Sequence, residues 1–304
     1  MALDMPTAVC IGNFDGVHVG HEAITRAARR LVGPSGRVVA MAFDPHPISV
    51  LRPALSPARL TTFESRADLL RNAGVDEVVR LEPTASLLQQ EPDEFLHAVV
   101  SRHGATHLVE GHDFRFGRGA RGNPRTLRIL CEAWGLAAEI VAPVEIDLTD
   151  QHIARASSSL VRTLVGAGRV QDAIRVLGRP YRVAGEVVRG DQRGRTIGYP
   201  TANVAATTML PGDGVYAAVA TLPDGATHVA AVNVGSRPTF AGVERRIEAH
   251  VIDASPPAGY GWHLRLDFVA WIRDQVRFDG PQRLVRQLAS DASRAAAFAH
   301  AAMA

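Results

Sequence analysis

Lysine is absent from this sequence. All 33 basic residues are arginine, and 31 acidic residues nearly balance them, leaving a formal charge of +2. The absence excludes a Walker P-loop, a Schiff-base enzyme and a lysine general base, because each needs an ammonium group that the permanently protonated guanidinium cannot replace. Any bound anion must then be held by arginine, histidine or backbone N–H groups. Cysteine is scarce: Cys10 and Cys131 stand far apart, with no CxxC and no His/Cys cluster. Neither a disulfide framework nor a structural zinc site is expected, and two buried free thiols are. No basic run is interleaved with aromatics, so no nucleic-acid partner is expected. No apolar run reaches the length of a membrane span, and the opening MALDMPTAVCIG lacks the basic region and cleavage site of a secretory signal. The expectation is a cytoplasmic protein with no membrane partner.

What is present is an ordinary globular composition, 46% hydrophobic and 21% charged over 304 residues, enough for two cores of usual size. The first half alternates apolar strands with amphipathic helices. TAVCIG precedes a helix near 21–32 and RVVAMAF follows it; helices near 63–73 and 93–102 lead into VDEVVRL and THLVEG; a helix near 124–134 leads into AAEIVAPV. This pattern predicts a mainly parallel sheet covered on both faces, with its site at the carboxyl ends of the strands. Two short helices near 158–166 and 170–176 follow, and then the texture changes. From about 180 to 273, β-rich segments separated by Gly/Pro/Asp turns predict a small antiparallel barrel or sandwich. Helical spacing resumes in PQRLVRQLASDASRAAAFAHAAM, a terminal helix docked on that barrel. The expected domains are 1–178 and 179–304.

The stretch IGNFDGVHVGH at 11–21 puts two histidines three apart where a buried strand turns into a helix. Gly12 allows the turn, and Gly16 and Gly20 permit close approach of backbone to a ligand. Helix N-termini attract phosphate through unpaired N–H groups and the positive end of the dipole. His18 and His21 there can donate to a polyphosphate and stabilise charge as it departs. Taken alone, a helix-capping turn with incidental histidines reads HxGH equally well. A zinc site is the poorer reading, since no third ligand has suitable spacing.

GNFDGVHVGH resembles the first nucleotide-binding signature of the bacterial bifunctional riboflavin kinase/FMN adenylyltransferases. FDPHP at 43–47, GHDFRFGRGARGN at 111–123 and SSSLVR at 157–162 recur in that family's order. The second half is similar to its kinase module: GEVVRGDQRGRTIGYPTANV at 185–204, then LPGDGVYAAVA, VNVGSRPTF, IEAHVID and WIRDQVRFDG. The resemblance covers essentially the whole chain. It implies an α/β nucleotidyltransferase domain, Rossmann-like with a mainly parallel sheet, followed by a small antiparallel β-barrel with a terminal helix.

For the first domain the resemblance implies transfer of AMP from ATP to FMN, giving FAD and pyrophosphate. FMN phosphate is already an anionic nucleophile, so orientation and cations for the leaving pyrophosphate matter more than a base. His18, His21 and Arg162 suit that work, and Ser158 and Ser159 can bind phosphate oxygens at a helix start. Gly12, Phe14, Gly16 and Gly20 complete the implied ATP set, with His46 and Asp113 on the flavin side. Ser159 stands where the family usually has threonine; the hydroxyl survives, and activity is expected to persist. GRGARG at 117–122 fits GxGxxG formally but lacks a strand–turn–helix setting, so no NAD site is expected.

For the second domain the resemblance implies phosphorylation of riboflavin by MgATP. The acceptor hydroxyl must lose a proton, so a carboxylate base is wanted. Glu248 in IEAH stands where the family places it, and strand alternation turns it away from the side of Ile247 and Ala249. Thr201 and Asn203 alternate onto one face, a hydroxyl and an amide oxygen suited to Mg2+. Gly190, Gly194 and Gly198 let a loop fold over the nucleotide, and Arg273 is implied beside the flavin phosphate. Riboflavin, FMN and ATP are the implied small-molecule partners; an oligomer is left open. The competing reading is a riboflavin kinase whose first domain is a degenerate or sensing nucleotide-binding module. A different nucleotidyltransferase is opposed by the PTAN segment, and an arginine-rich RNA-binding protein by the near balance of charge.

Overall fold

The computed structural model describes residues 5–190, 197–239, 242–254, 257 and 259–303, and for 237–239, 242–244 and 301–303 the backbone alone. In chain order the first elements are β1 Thr7–Gly12, α1 Val19–Val32, β2 Arg37–Phe43, α2 Pro47–Leu51, α3 Phe63–Asn72, β3 Glu77–Leu81, α4 Ala85–Leu88, α5 Pro92–His103, β4 His107–Gly111, α6 Pro124–Ala133 and β5 Ala137–Val141. The five strands form one parallel sheet in the order β3-β2-β1-β4-β5. The chain moves outward from β1 to β3, then returns to the far side of β1 for β4. That reversal opens a crevice beyond the carboxyl ends of β1 and β4, where ligands of such sheets bind.

Strand alternation builds a core on each face. Ala8, Cys10, Val38, Ala40 and Ala42 pack under α1 and α3 through Ala27, Ala28, Val32 and Leu70. Val9, Ile11, Val39 and Met41 point the other way, onto Phe95, Leu96 and Val99 of α5 and Leu127 and Cys131 of α6. Such strands are buried on both sides, which is why they read as continuous apolar runs. Cys10 and Cys131 are both buried free thiols, as expected.

After a short ribbon, β6 Glu145–Asp147 and β7 Ile153–Arg155, come α7 Ser158–Gly166 and α8 Val170–Leu177. The remaining elements are β8 Tyr181–Val188, β9 Ala202–Ala206, β10 Gly214–Thr221, β11 Thr227–Thr239, β12 Gly242–Val251, β13 His263–Arg273 and α9 Pro281–Met303. The strands close into an antiparallel barrel in the order β10-β11-β12-β9-β8-β13. Its interior is filled by Val183, Val232, Val234, Ile247, Ala249, Leu264 and Leu266, each at most 1% exposed. α9 packs on β10, β11 and β13, and α8 on β8 and β13.

The expected barrel gains one strand that the β-rich texture did not mark, β9. Its sequence ANVAA carries three alanines and a single branched residue, a poor intrinsic strand former that pairing with β8 and β12 recruits. By compactness the chain divides into 1–146 with 153–158, and 147–152 with 159–304. α8 and all of α7 beyond Ser158 therefore group with the barrel, whereas the division expected from sequence lies after 178.

Candidate active sites

Gly12 ends β1, and the chain turns through residues 13–18 before α1 begins. The turn uses left-handed backbone at Phe14 (φ 48°), Gly16 (φ 83°) and Val17 (φ 40°). Glycine takes this conformation freely, whereas Phe14 and Val17 hold it at a cost of about 1–3 kcal/mol each. Both side chains are buried in the sheet core and hold the turn from below. His18 is the N-cap of α1: its Nδ1 accepts from the Gly20 N–H at 3.2 Å, while Nδ1 of His21 accepts from the His18 N–H at 3.3 Å. The rings stack with centroids 3.7 Å apart. Because each Nδ1 is an acceptor, a neutral ring carries its proton on Nε2. HxGH is thus a helix-capping turn that places both imidazoles at the N-terminus of α1.

Asp15, 5% exposed, accepts from Leu60 N–H, Thr61 N–H and Thr61 Oγ1, and its carbonyl accepts from Ser158 Oγ at 2.7 Å. This ties the start of α7 to the turn. His46 follows β2 and caps α2, accepting at Nδ1 from the Ile48 N–H. Asp113 follows β4, with its side chain 82% exposed. Gly12, Phe14, Gly16, His18, Gly20, His21 and Ser158 therefore cluster about the end of β1, with His46 and Asp113 on the flanking strand ends of the same sheet edge. Ser159 is exposed and Arg162 half-buried on α7, with Ser158 and Arg162 one turn apart on one helix face.

In the barrel, Glu248 sits on β12 between Asn233 of β11 and Asn203 of β9, directly opposite both. Ile247 and Ala249 point into the core, so this row of three polar residues faces outward. Glu248, Asn233, Thr201 and Arg273 line a cavity of about 560 Å³, with apolar walls from Phe278, Leu284 and Leu288. The size and lining are those of a site for a small organic ligand. Gln275 donates to Asn233 at 2.8 Å. Arg273 is held by Asp291 of α9 at 2.9 Å through Nε and 2.6 Å through Nη2, and its Nη1 donates to the Asp274 carbonyl. Asp291 is 1% exposed. A Cβ on Gly190 would collide with the Asn203 amide, so glycine lets the loop lie against that side chain. Gly198 adopts φ 82°, and Gly194 lies outside the described residues.

Sequence reasoning did not single out Asn233, Gln275, Phe278 or Asp291. Asp291 left a signal: it continues the face of Leu284 and Leu288 at helical spacing, where a lone acid in an apolar stripe points to a buried partner. It also passed over Arg66 and Glu110, two buried ionisable side chains beside the first site.

A family model for FAD synthetase matches residues 2–156, and one for riboflavin kinase matches 177–299. Curated relatives described as bifunctional riboflavin kinase/FMN adenylyltransferase include that of Listeria monocytogenes, 30% identical over 97% of this chain and 93% of the relative. That of Haemophilus influenzae is 32% identical over 96% and 94%, and that of Pseudomonas fluorescens 34% over 95% and 92%. A solved structure from Streptococcus pneumoniae, described as a macrolide-efflux protein, is similar with a TM-score of 0.84 at 30% identity, covering 96% of this chain and 94% of that one. Among the described residues here, no helix is long and apolar enough to cross a membrane.

Proposed function

The chain belongs to the family of bifunctional riboflavin kinase/FMN adenylyltransferases, and from that premise we propose which residues carry each of its two reactions. It transfers the γ-phosphoryl group of ATP to riboflavin, giving FMN, and then the AMP of a second ATP to FMN, giving FAD and pyrophosphate. The functional division is kept at 1–178 for adenylyl transfer and 179–304 for phosphorylation, so that Ser158, Ser159 and Arg162 stay with the first reaction.

In adenylyl transfer an oxygen of FMN phosphate attacks the α-phosphorus of ATP, and the bond to the β-phosphate bridging oxygen breaks. No proton has to be removed from the nucleophile. The work is to align two anions and to stabilise charge on the departing pyrophosphate. His18 and His21, held with Nε2–H as donor, do this at the N-terminus of α1, whose own N–H groups and dipole act in the same sense. Arg162 and Ser159 hold phosphate oxygens, and Ser158 joins them by turning its hydroxyl from the Asp15 carbonyl. Gly12, Gly16 and Gly20 keep the turn low enough for backbone contact, and Phe14 shapes it from beneath. His46 and Asp113, from the neighbouring strand ends, take the flavin side.

In phosphorylation the primary hydroxyl of riboflavin attacks the γ-phosphorus, its proton passes to Glu248, and ADP leaves. The observation that carries this assignment is the Glu248 carboxylate on the wall of the apolar cavity, opposite Asn203 and Asn233. The isoalloxazine ring fits the Phe278, Leu284 and Leu288 walls. Arg273, neutralised by Asp291, fixes the mouth of that pocket at the flavin end. Gly190, Gly194 and Gly198 belong to the ATP loop.

Thr201 and Asn203 fit a magnesium ion brought in on the ATP phosphates. The buried Asn203 Oδ1 accepts no hydrogen bond among the described residues, and a hard cation is the natural partner of such an amide oxygen. Bound there, the ion offsets negative charge on the transferring phosphoryl group. This reading places the enzyme in the cytoplasm, with small-molecule partners, no nucleic acid and no membrane, and leaves an oligomer open. Incubation of the chain with riboflavin, ATP and magnesium tests it: FMN forms first and FAD follows. FMN that accumulates with no FAD would reduce the activity to riboflavin kinase and make residues 1–178 a sensing module.

A further inference from the structure

Arg66 of α3 is 4% exposed, and nothing in either reaction uses it. Its Nη1 donates to the carbonyl of Asn13 at 2.9 Å and to the carbonyl of Phe43 at 2.8 Å. Those carbonyls sit where β1 and β2, neighbours in the sheet, give way to the turns bearing His18 and His46. Nη2 lies 3.8 Å from a carboxylate oxygen of Asp15 and 3.8 Å from one of Asp44, one acid in each turn. Both acids are engaged elsewhere: Asp15 with the Leu60–Thr61 backbone, and Asp44 with Arg59 at 2.6 Å and Arg80 at 3.5 Å.

This is a costly way to gain stability. A buried ion network recovers little more than its desolvation penalty, and apolar residues of equal volume often do as well. Nε of Arg66 is buried without a hydrogen-bond partner among the described residues, a further cost. What a guanidinium supplies and an apolar side chain cannot is a rigid donor that fixes two carbonyls at once. The Asn13 carbonyl directly precedes Phe14, the first of the two non-glycine residues in left-handed backbone. Strained backbone persists where its surroundings over-determine it, and Arg66 restrains this turn from a third direction besides Asp15 and Ser158.

We infer that Arg66 is a positioning residue for adenylyl transfer: it joins the ends of β1 and β2 and so sets the His18/His21 turn against the His46 turn, without touching a reactant. The inference rests on the adenylyltransferase assignment of this half. FAD formation by the wild-type chain tests that assignment, and Arg66 variants test the inference separately.

The experiment uses the full chain with Arg66→Met and Arg66→Lys. ATP-binding sites are counted by titration, adenylyl transfer of supplied FMN is expressed per site, and riboflavin phosphorylation is followed as an internal control. A misplacement of about 1 Å costs about 100-fold, so Arg66→Met is expected to lose about that in kcat per site, with KM for ATP and FMN within about threefold of wild type. Lysine keeps the charge but offers a point donor in place of the fork, and is expected about tenfold below wild type. Phosphorylation is expected to stay unchanged in both. If Arg66→Met binds one ATP fewer than the two expected of wild type, the lysine variant decides. Wild-type kcat per site in Arg66→Lys, a loss below threefold in Arg66→Met, or a parallel fall in phosphorylation would overturn the inference.

Discussion

Glu110 shows what a single buried group costs and what it supplies. It lies on β4 where β4 and β1 part: the strands pair at Ala8 with His107 and Val9 with Leu108, and Glu110 Oε1 then accepts the Ile11 N–H at 2.7 Å. A side chain replaces a ladder bond at the mouth of the crevice. Burial pushes its pKa well above the usual carboxylate range, and the Ile11 bond opposes that without prevailing. The folded state thus holds a proton that the unfolded chain releases near pH 4.3, as glutamate ordinarily does. Stability from this group is full below that value and falls as pH rises toward the folded pKa, by about 1.4 kcal/mol per unit. Glu110→Gln keeps an acceptor for Ile11 and removes the titration. Its urea midpoint is expected to match wild type near pH 4 and to exceed it at pH 8; an equal difference at both pH values would contradict the argument. Nothing in THLVEG marked this glutamate. A charged residue in an apolar strand reads as an edge position until the neighbour that needs an acceptor is known.

Among the elements, those whose ends carry local chemistry were the most legible. α6 starts at the Asn123 cap with Pro124 in its first turn, and the helix expected near 124–134 runs Pro124–Ala133. β9 was not marked because alanine-rich ANVAA shows no alternation and only one β-branched residue, Val204, and its place is set by tertiary pairing. α9 was expected as a docked helix, but its part in the barrel cavity was not, because the partner of Asp291 lies 18 residues away on β13. Removing one partner of a buried pair leaves a charge uncompensated, at about 3–5 kcal/mol. Asp291→Ala is therefore expected to lower the melting temperature of the barrel and to raise KM for riboflavin, while adenylyl transfer of supplied FMN is unchanged. An unaltered riboflavin KM would show that Arg273 does not shape the flavin pocket.

At the scale of the whole molecule, four motifs in order across the first half and a fifth group across the second made the two activities legible before any geometry. They were legible through the resemblance to one family, and the residue types agree with it: a phosphate nucleophile needs donors at a helix start and a hydroxyl nucleophile needs a base. What stayed illegible was the supporting shell, because Asp15, Arg66 and Asp291 act through distant backbone and side chains that no spacing rule relates. Two phosphate-transfer sites in one chain also imply that FMN leaves the barrel site and enters that of residues 1–178. With labelled riboflavin and a large excess of unlabelled FMN, the label in FAD is expected to be diluted in full; undiluted label would mean direct transfer between sites.

The most direct test separates the two sites in the intact chain, by chromatography of flavins formed from riboflavin, ATP and magnesium. Removing a general base costs about 100- to 10,000-fold, and removing charge-stabilising donors at least about 100-fold. Glu248→Ala is expected to stop at riboflavin yet convert supplied FMN to FAD at the wild-type rate. The double variant His18→Ala/His21→Ala is expected to make FMN normally and no FAD. FAD formation from supplied FMN lost in the Glu248 variant, or retained in the double-histidine variant, would contradict the account.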